Sequence, residues 1–283
     1  MNISSLPEDL KIPLTSPVQL FNYQTMDSCL RSKINLTKNT FSFLIDGTKE
    51  VLADYKSVKI ENNAFLIIKS GNCLMTETVS AVNQQYKSIL LFFTDEMLFN
   101  FLERNQVNAS APKEVKSFLV CQYDHYIRHF VQSLENIHQL QPAQQSPLLK
   151  IKFEEIMVYL LQKEGDTFLN AILANHDSQT IRFLNVVENN KFNKLSLQEL
   201  SFLSNKSLST FKRAFQKHFQ MTPIKWFQER RLEHAAFLLS THKKRPIELY
   251  EEIGYETLSN FVQAFKKKYD VTPKQFQLQK MNF

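Results

Sequence analysis

Phe211-Lys212-Arg213-Ala214-Phe215-Gln216-Lys217-His218-Phe219 is followed by Thr222-Pro223, and fifty residues on Phe261-Val262-Gln263-Ala264-Phe265-Lys266-Lys267-Lys268-Tyr269 is followed by Thr272-Pro273. Two copies of one pattern at one offset mark a duplicated unit. In each, aromatics at i, i+4 and i+8 make the stripe of a helix packed on a core, and polar or basic residues take the opposite face. Thr-Pro then stops one helix and caps the next.

Working outward, each copy is preceded by a second, shorter helical signal. Ser196-Leu197-Gln198-Glu199 is a capping box that opens a short helix with Leu200 and Leu203 apolar; Ser204 to Lys206 make a turn, and Ser207 caps the helix that follows. In the second copy Pro246-Ile247-Glu248 opens a short helix, Gly254 is placed to end it, and Thr257 caps the next. Short helix, tight turn, and a second helix with a polar outer face is the helix-turn-helix plan, whose second helix lies in the major groove. Pro223 to about Ser240, with Trp226, Phe227, Leu232, Ala235, Ala236, Leu238 and Leu239 apolar, reads as one connecting helix. Its roughly 27 Å, at 1.5 Å per residue, compares with the roughly 34 Å of one DNA turn. Such a rod would let a single chain set two recognition helices in successive grooves and read an asymmetric site.

Charge follows the same division. The chain of 283 residues carries a net +6; from Ser178 onward there are 18 Lys/Arg against 9 Asp/Glu, and before it 16 against 19. A basic C-terminal part on a slightly acidic N-terminal one points to a polyanionic partner for the former alone. Glycine-rich phosphate loops are excluded, because the four glycines are the isolated Gly47, Gly71, Gly165 and Gly254. Cys29, Cys73 and Cys121 are odd in number and widely spaced, which reads as reduced thiols in a cytoplasmic protein. No stretch approaches a membrane span, and the first residues lack the basic and apolar regions of an export signal.

The N-terminal half reads as strands and then helices. Phe41 to Ile45, Val51 to Ala53, Ala64 to Lys69, Cys73 to Thr76 and Ser88 to Phe93 are strand-like, with a hairpin-type turn signal at Asp46-Gly47 and a further turn signal at Ser70-Gly71-Asn72. They predict a small β-barrel or sandwich between about Thr40 and Phe93. Thr94 caps a helix to about Arg104. A second helix is expected from Pro112, through Val115, Phe118, Leu119, Tyr126, Phe130, Leu134 and Ile137, and a third from Ser146-Pro147 with Leu149, Phe153, Ile156, Met157 and Leu160 inward. These helices either cover the barrel or pair with a second copy of the chain. A short helix from Thr167 to Ala174 leads to the boundary: residues 1–165 form the first domain, 166–177 a linker, and 178–283 the DNA-binding domain. The fold class is α+β.

The run of matching positions from Leu195 to Phe276 resembles the AraC/XylS transcription regulators. It includes Leu195-Ser196-Leu197, Ser207-Leu208-Ser209, Phe211-Lys212-Arg213, Arg231-Leu232 and Ile253-Gly254-Tyr255-Glu256-Thr257-Leu258-Ser259. The strand-rich N-terminal half is similar to the cupin-like sensor and dimerisation domains of that family, and its ordering resembles the type III secretion activators within it. The resemblance implies a double helix-turn-helix domain and a transcription activator that contacts double-stranded DNA and RNA polymerase. It also implies control by a small-molecule effector or a regulatory protein, with a homodimer as a further option. Five positions depart from the pattern. Gln220 and Asp270 replace the usual glycine after each recognition helix, Ser201 and Tyr250 replace the usual small alanine, and Gln263 replaces the usual arginine.

By resemblance, Ser209, Lys212 and Arg213 fall where the family meets bases, beside Ser207 and Thr210. Arg213 suits guanine O6/N7, or both cations hold phosphate alone. Leu258, Ser259, Asn260 and Gln263 take the reading positions of the second helix, where Asn and Gln suit adenine, or form an ordinary solvated face. Lys266, Lys267 and Lys268 are expected on phosphates, and Lys243-Lys244-Arg245 either on the backbone or in solvent. Cys121, His125 and His129 at i, i+4 and i+8 of one expected helix have metal-ligand spacing, but they lie beside the apolar stripe and read as a partly exposed face. No metal or cofactor is expected. An enzyme is the competing class. A catalytic cupin is disfavoured because Thr40 to Phe93 contains no histidine, and a fused alkyltransferase because no Pro-Cys-His-Arg motif occurs. An N-terminal domain that binds a regulatory protein, with DNA binding as output, is the third reading. Leu44, Leu66, Ile68 and Leu74 either line a small-molecule pocket or simply pack the core.

Overall fold

The computed structural model describes residues 3–10, 12, 16–53, 56–107, 117–173, 179–241 and 244–281. The chain divides into two compact units, Met1–Arg182 and Phe183–Phe283.

The first unit is built on ten strands: β1 Ile3–Leu6, β2 Val18–Thr25, β3 Cys29–Leu36, β4 Asn39–Asp46, β5 Thr48–Ala53, β6 Lys56–Ile60, β7 Ala64–Ile68, β8 Gly71–Thr78, β9 Tyr86–Phe93 and β10 Phe118–Gln122. They form two five-stranded sheets, in the orders β1-β3-β8-β5-β6 and β10-β7-β4-β9-β2. Among the described residues no ladder joins the two, so the expected barrel is a cupin-like sandwich. Alternation along β4 shows why the second sheet is apolar on both faces. Phe41 and Phe43 lie opposite Leu91 and Ile89 and belong to a core shared with Phe65, Phe130 and Phe153. Leu44, with Leu66, Ile68, Leu90 and Phe92, faces the other way, into a core completed by Ile34, Val51 and Met75 of the first sheet. At about 1.5–3 kcal/mol for each fully buried large apolar side chain, these two cores are the principal stabilisation of the unit.

Asp46-Gly47, expected as a hairpin turn, is a corner instead, and so is the turn at Ser70-Gly71. β4 and β7 belong to one sheet, β5 and β8 to the other. Gly47 has φ +90°, and a Cβ there would stand 2.5 Å from the Thr78 carbonyl oxygen. The Asp46 carboxylate receives hydrogen bonds from the Gly47 N–H, the Asn83 amide at 2.6 Å and the Gln85 amide at 3.1 Å. Burial pushes its pKa up, but those donors outweigh burial and hold it below the usual carboxylate value.

Four helices cover the second sheet: α1 Asp95–Arg104, α2 His125–His138, α3 Pro142–Glu164 and α4 Asp166–Leu173. Thr94 caps α1 as expected, accepting the Met97 N–H. The helix expected from Pro112 is corrected. Pro112 and Val115 lie outside the described residues, whereas Phe118 and Leu119 belong to β10, which pairs antiparallel with β7. The open edge of β7 offers a full row of backbone partners, and this outweighs the helical spacing of the apolar residues. The helix proper starts at Asp124, whose carboxylate accepts the Ile127 N–H at 2.9 Å; it buries Ile127, Phe130, Val131, Leu134 and Ile137, while Tyr126 stays exposed. α3 begins at Pro142, one turn before Ser146-Pro147, so Pro147 sits inside it. Its inward residues Leu149, Phe153, Ile156, Met157 and Leu160 are buried as expected. Residues 166–173 of the expected linker form α4, whose Phe168 and Ile172 join the core of this unit. Residues 174–178 lie outside the described part. Among the described residues no helix is long and apolar enough to cross a membrane.

The second unit is all-helical: α5 Gln179–Asn189, α6 Leu197–Leu203, α7 Leu208–Phe219, α8 Pro223–Thr241, α9 Pro246–Leu249, α10 Leu258–Tyr269 and α11 Pro273–Met281.

Candidate nucleic-acid interface

Both helix-turn-helix units fold where the repeat places them, and their capping chemistry is that of the sequence. In the first, the Ser196 hydroxyl accepts the Glu199 N–H while the Glu199 carboxylate accepts the Ser196 N–H at 2.7 Å, closing the capping box on α6. Ser204 is buried in the turn, and Asn205 adopts the left-handed conformation there. Ser207 then caps α7 by accepting the Thr210 N–H. In the second, α9 is one turn long and Thr257 caps α10 by accepting the Asn260 N–H. The residue past each recognition helix, Gln220 and Asp270, takes the left-handed conformation that glycine usually provides.

The aromatic stripes face inward. Phe211, Phe215, Phe261 and Phe265 are fully buried. Under α7 lies Phe183 of α5, with its ring centroid 5.3 Å from that of Phe211 and 6.3 Å from that of Phe215. Trp226 of α8 closes the other side against Phe215 and Phe219. Helix α5 and its Phe183 escaped the sequence reading. The signal was an apolar Phe183, Val186, Val187 spacing just before the capping box, now seen buried. Under α10 the aromatic partners are fewer, Phe261, Tyr269 and Phe276 around Phe265, and the aliphatic Leu232, Leu238, Leu239, Leu249 and Ile253 complete the core.

With the stripes inward, the polar faces point outward. Ser209, Thr210, Lys212 and Arg213 are exposed on α7, and Gln216 and Lys217 extend the same face by one further turn. The latter two were not among the expected contacts, although i+3 and i+4 spacing from Arg213 predicts them. Ser207 is occupied as the cap, and its hydroxyl also lies 3.1 Å from that of Ser209 and 2.9 Å from that of Thr210. On α10, Ser259, Asn260, Gln263, Lys266 and Lys267 are exposed. Two expectations shift. Leu258 is half-buried and packs against the core of the second unit, so its side chain serves packing. Lys268 donates to the Glu233 carboxylate at 3.0 Å and to the Glu229 carbonyl at 3.2 Å. It ties α10 to α8, leaving Lys266 and Lys267 as the outward cations. Burial pushes the Glu233 carboxyl up, but Lys268 and Arg230 outweigh it and hold it below its ordinary value. Of the loop cations, Lys243 lies outside the described residues, Lys244 pairs with Glu252 and Arg245 with Glu248. Lys212, Arg213, Lys266 and Lys267 have no ion-pair partner among the described residues, so these cations are available to an external anion.

Helix α8 spans 19 residues, roughly 28 Å at 1.5 Å per residue. Its Arg231 donates to the Asn193 carbonyl, ahead of α6, at 3.2 Å. The same guanidinium lies against Gly254 at the end of the short α9 segment, where a Cβ would meet Nη1 at 3.2 Å. Gly254 has φ +90°, so the second unit uses glycine both for its turn and for the close approach of this arginine.

The Cys121-His125-His129 constellation does not form. Cys121 is on β10 and buried, and burial pushes its thiol pKa up to about 12. His125 and His129 are on α2 with Nε2 atoms 3.1 Å apart. Among the described residues no group of three or more His, Cys, Asp or Glu is placed to hold a metal.

Comparison with known proteins agrees with this geometry. Residues 39–172 match the model of the ExsA N-terminal regulatory domain, and residues 203–279 match that of a helix-turn-helix domain. The thermoregulatory protein LcrF of Yersinia pestis and the virulence regulon transcriptional activator VirF of Yersinia enterocolitica are each 26% identical over 153 residues, covering 53% of this chain and 56% of theirs. The chain thus spans about half the length of the curated relatives it matches. A solved structure of ToxT from Vibrio cholerae covers 93% of this chain and 98% of its own at 12% identity, with a TM-score of 0.41. With a regulatory domain of the ExsA type followed by the duplicated helix-turn-helix, the chain belongs to the AraC family of regulators.

Proposed function

We propose that this chain is a sequence-specific DNA-binding transcription activator of the cytoplasm, controlled at its N-terminal unit by a small molecule or a regulatory protein. It is read as a non-enzyme, with RNA polymerase as a partner and a homodimer as an alternative working state. The observation that carries the reading is the pair of exposed, cation-bearing faces on α7 and α10, each backed by a buried aromatic stripe within one compact unit. Lys212, Arg213 and Lys217 on the first helix and Lys266 and Lys267 on the second supply sequence-independent attraction to phosphate. Arg213, Asn260 and Gln263 have the donor patterns that distinguish guanine and adenine edges in the major groove. Activation, rather than repression, follows the similarity to VirF, a virulence regulon transcriptional activator.

Selection from a random duplex pool tests this. The full chain is expected to enrich one asymmetric site whose two determinants lie about one helical turn apart. Retention of random duplex as tightly as the selected pool would reject sequence reading. A run-off transcription assay on a promoter bearing the site then separates activation from repression.

A further inference from the structure

Between the two sheets of the first unit lies a cavity of about 340 Å³, within the range of roughly 300–1,000 Å³ that small-molecule sites occupy. Most of its exposed wall surface is apolar, with Ile34, Leu36, Ile68 and Leu90 among the residues that supply it. Two observations define what it can hold. The first is Ser42, on the inner face of β4. It lines the cavity, is wholly buried, and among the described residues its hydroxyl has no hydrogen-bond partner. A buried hydroxyl left without a partner is costly, and a ligand that supplies one gains that energy back on binding.

The second is the charge balance of the wall. Lys49 is 1% exposed, and its ammonium donates to Glu77 at 2.9 Å and to the Tyr86 hydroxyl at 3.2 Å. Burial alone would lower its pKa, but Tyr86 and Glu77 outweigh burial and raise it, so the lysine stays charged. The other charged side chain on the wall, Asp9, is exposed at the rim and negative. Among the described residues the wall therefore holds one cation, already neutralised, and no spare positive charge. An entering carboxylate would have to take Lys49 from Glu77, leaving a second carboxylate uncompensated in the interior.

Building on the reading of this unit as a sensor, we propose that the inter-sheet cavity binds an uncharged, largely apolar small molecule bearing a hydroxyl or carbonyl group that pairs with Ser42. The Lys49–Glu77–Tyr86 cluster stays intact as a fixed polar wall and rejects the corresponding carboxylic acids in their ionised form.

The experiment is calorimetric titration of the full chain with three probes of one chain length, 1-decanol, 2-decanone and decanoate, near pH 7.5. Decanol and decanone are expected to bind at least tenfold more tightly than decanoate. Ser42→Ala is expected to weaken decanol by roughly three- to tenfold, the worth of one hydrogen bond, with no effect on decanoate. Glu77→Gln releases Lys49 and is expected to reverse the order, so that decanoate binds better than decanol. Decanoate binding the unaltered chain as tightly as decanol, or no binding of either neutral probe, overturns the proposal. So does a Ser42→Ala variant that retains full affinity for decanol, which decides the matter even if the Glu77 variant fails to fold. DNA retention by the same preparations is read separately, and its loss would count against the regulator reading and not against the cavity.

Discussion

The two helix-turn-helix units share a length, an offset and a capping scheme, yet they are built to different standards. The first opens with a seven-residue helix locked by a reciprocal capping box, and Phe215 at its centre has ring contacts with Phe183, Phe211, Phe219, Trp226 and Phe227. The second opens with a four-residue helix, and Phe265 has Phe261, Tyr269 and Phe276. Their outer faces differ in the same sense. α7 carries Lys212 and Arg213 in its first two turns, where a recognition helix enters the groove; α10 carries neutral Asn260 and Gln263 there and places Lys266 and Lys267 in its last turn. A duplicated fold thus has one unit centred on stacked rings, with an outer face suited to strong base contacts, and one centred on fewer rings and more aliphatic side chains, with an outer face suited to polar reading and phosphate anchoring.

The largest test removes the aromatic centres. Phe215→Ala is expected to cost about 4–5 kcal/mol and Phe265→Ala about 3 kcal/mol, the two ends of the range for emptying a buried aromatic site. Denaturant unfolding of the second unit is conveniently followed through Trp226, the chain's single tryptophan, which lies against Phe215. Equal losses from the two substitutions would erase the difference in packing.

Next in size is the contrast between reading residues. Arg213→Ala should weaken the selected site by about 1–3 kcal/mol and relax one base position, whereas Gln263→Ala should fall at or below the lower end of that range. A gel-shift series in which Arg213→Ala loses as much on random duplex as on the selected site would reduce Arg213 to a phosphate contact.

The features behind this contrast were unevenly legible in the sequence. Local rules held wherever local chemistry decides. The capping box at Ser196, the caps at Ser207 and Thr257, and the inward aromatics follow from spacing alone, and all are present. What spacing could not show is which partner an exposed-looking side chain finds. Lys268 belongs to a run of three lysines, but only its placement opposite Glu233 of α8 removes it from the outer face. Leu258 has the position of a reader, but the core beside it takes its side chain. In the first unit the same limit applied to strands. Asp46-Gly47 has hairpin chemistry, but whether the next strand pairs with the last or crosses to a second sheet is a long-range choice. Phe118 to Gln122 has helical apolar spacing and is a strand because β7 offers it an open edge.

A smaller effect separates the lysines of α10. Lys267→Ala should weaken selected and random duplex alike, by about 1 kcal/mol or less, and lower the slope of log binding against log salt by about 1. Lys268→Ala should leave that slope unchanged and lower stability slightly, because its partner is the half-exposed Glu233. A reduced slope for Lys268→Ala would return that residue to the DNA face.

The smallest and most local comparison is at the ends of the recognition helices. Gln220 and Asp270 hold φ of +55° and +61°, where a Cβ crowds the backbone and glycine does not. Aspartate visits this region at smaller cost than glutamine, because its short polar side chain can bond locally. Gln220→Gly is therefore expected to stabilise the helical unit of residues 183–283 by up to about 1 kcal/mol. Asp270→Gly should give a few tenths or nothing, since relief of strain is offset by the greater freedom of glycine in the unfolded chain. Among the described residues the Gln220 side chain donates only to the Lys217 carbonyl, at 3.0 Å on the surface, a bond that water replaces readily, so its loss does not reverse the sign. A pair of unfolding curves measures the difference directly. A Gln220→Gly chain no more stable than the original would mean that the left-handed cap of the first unit carries no strain, and that the two helix ends, unlike the units they close, are equivalent.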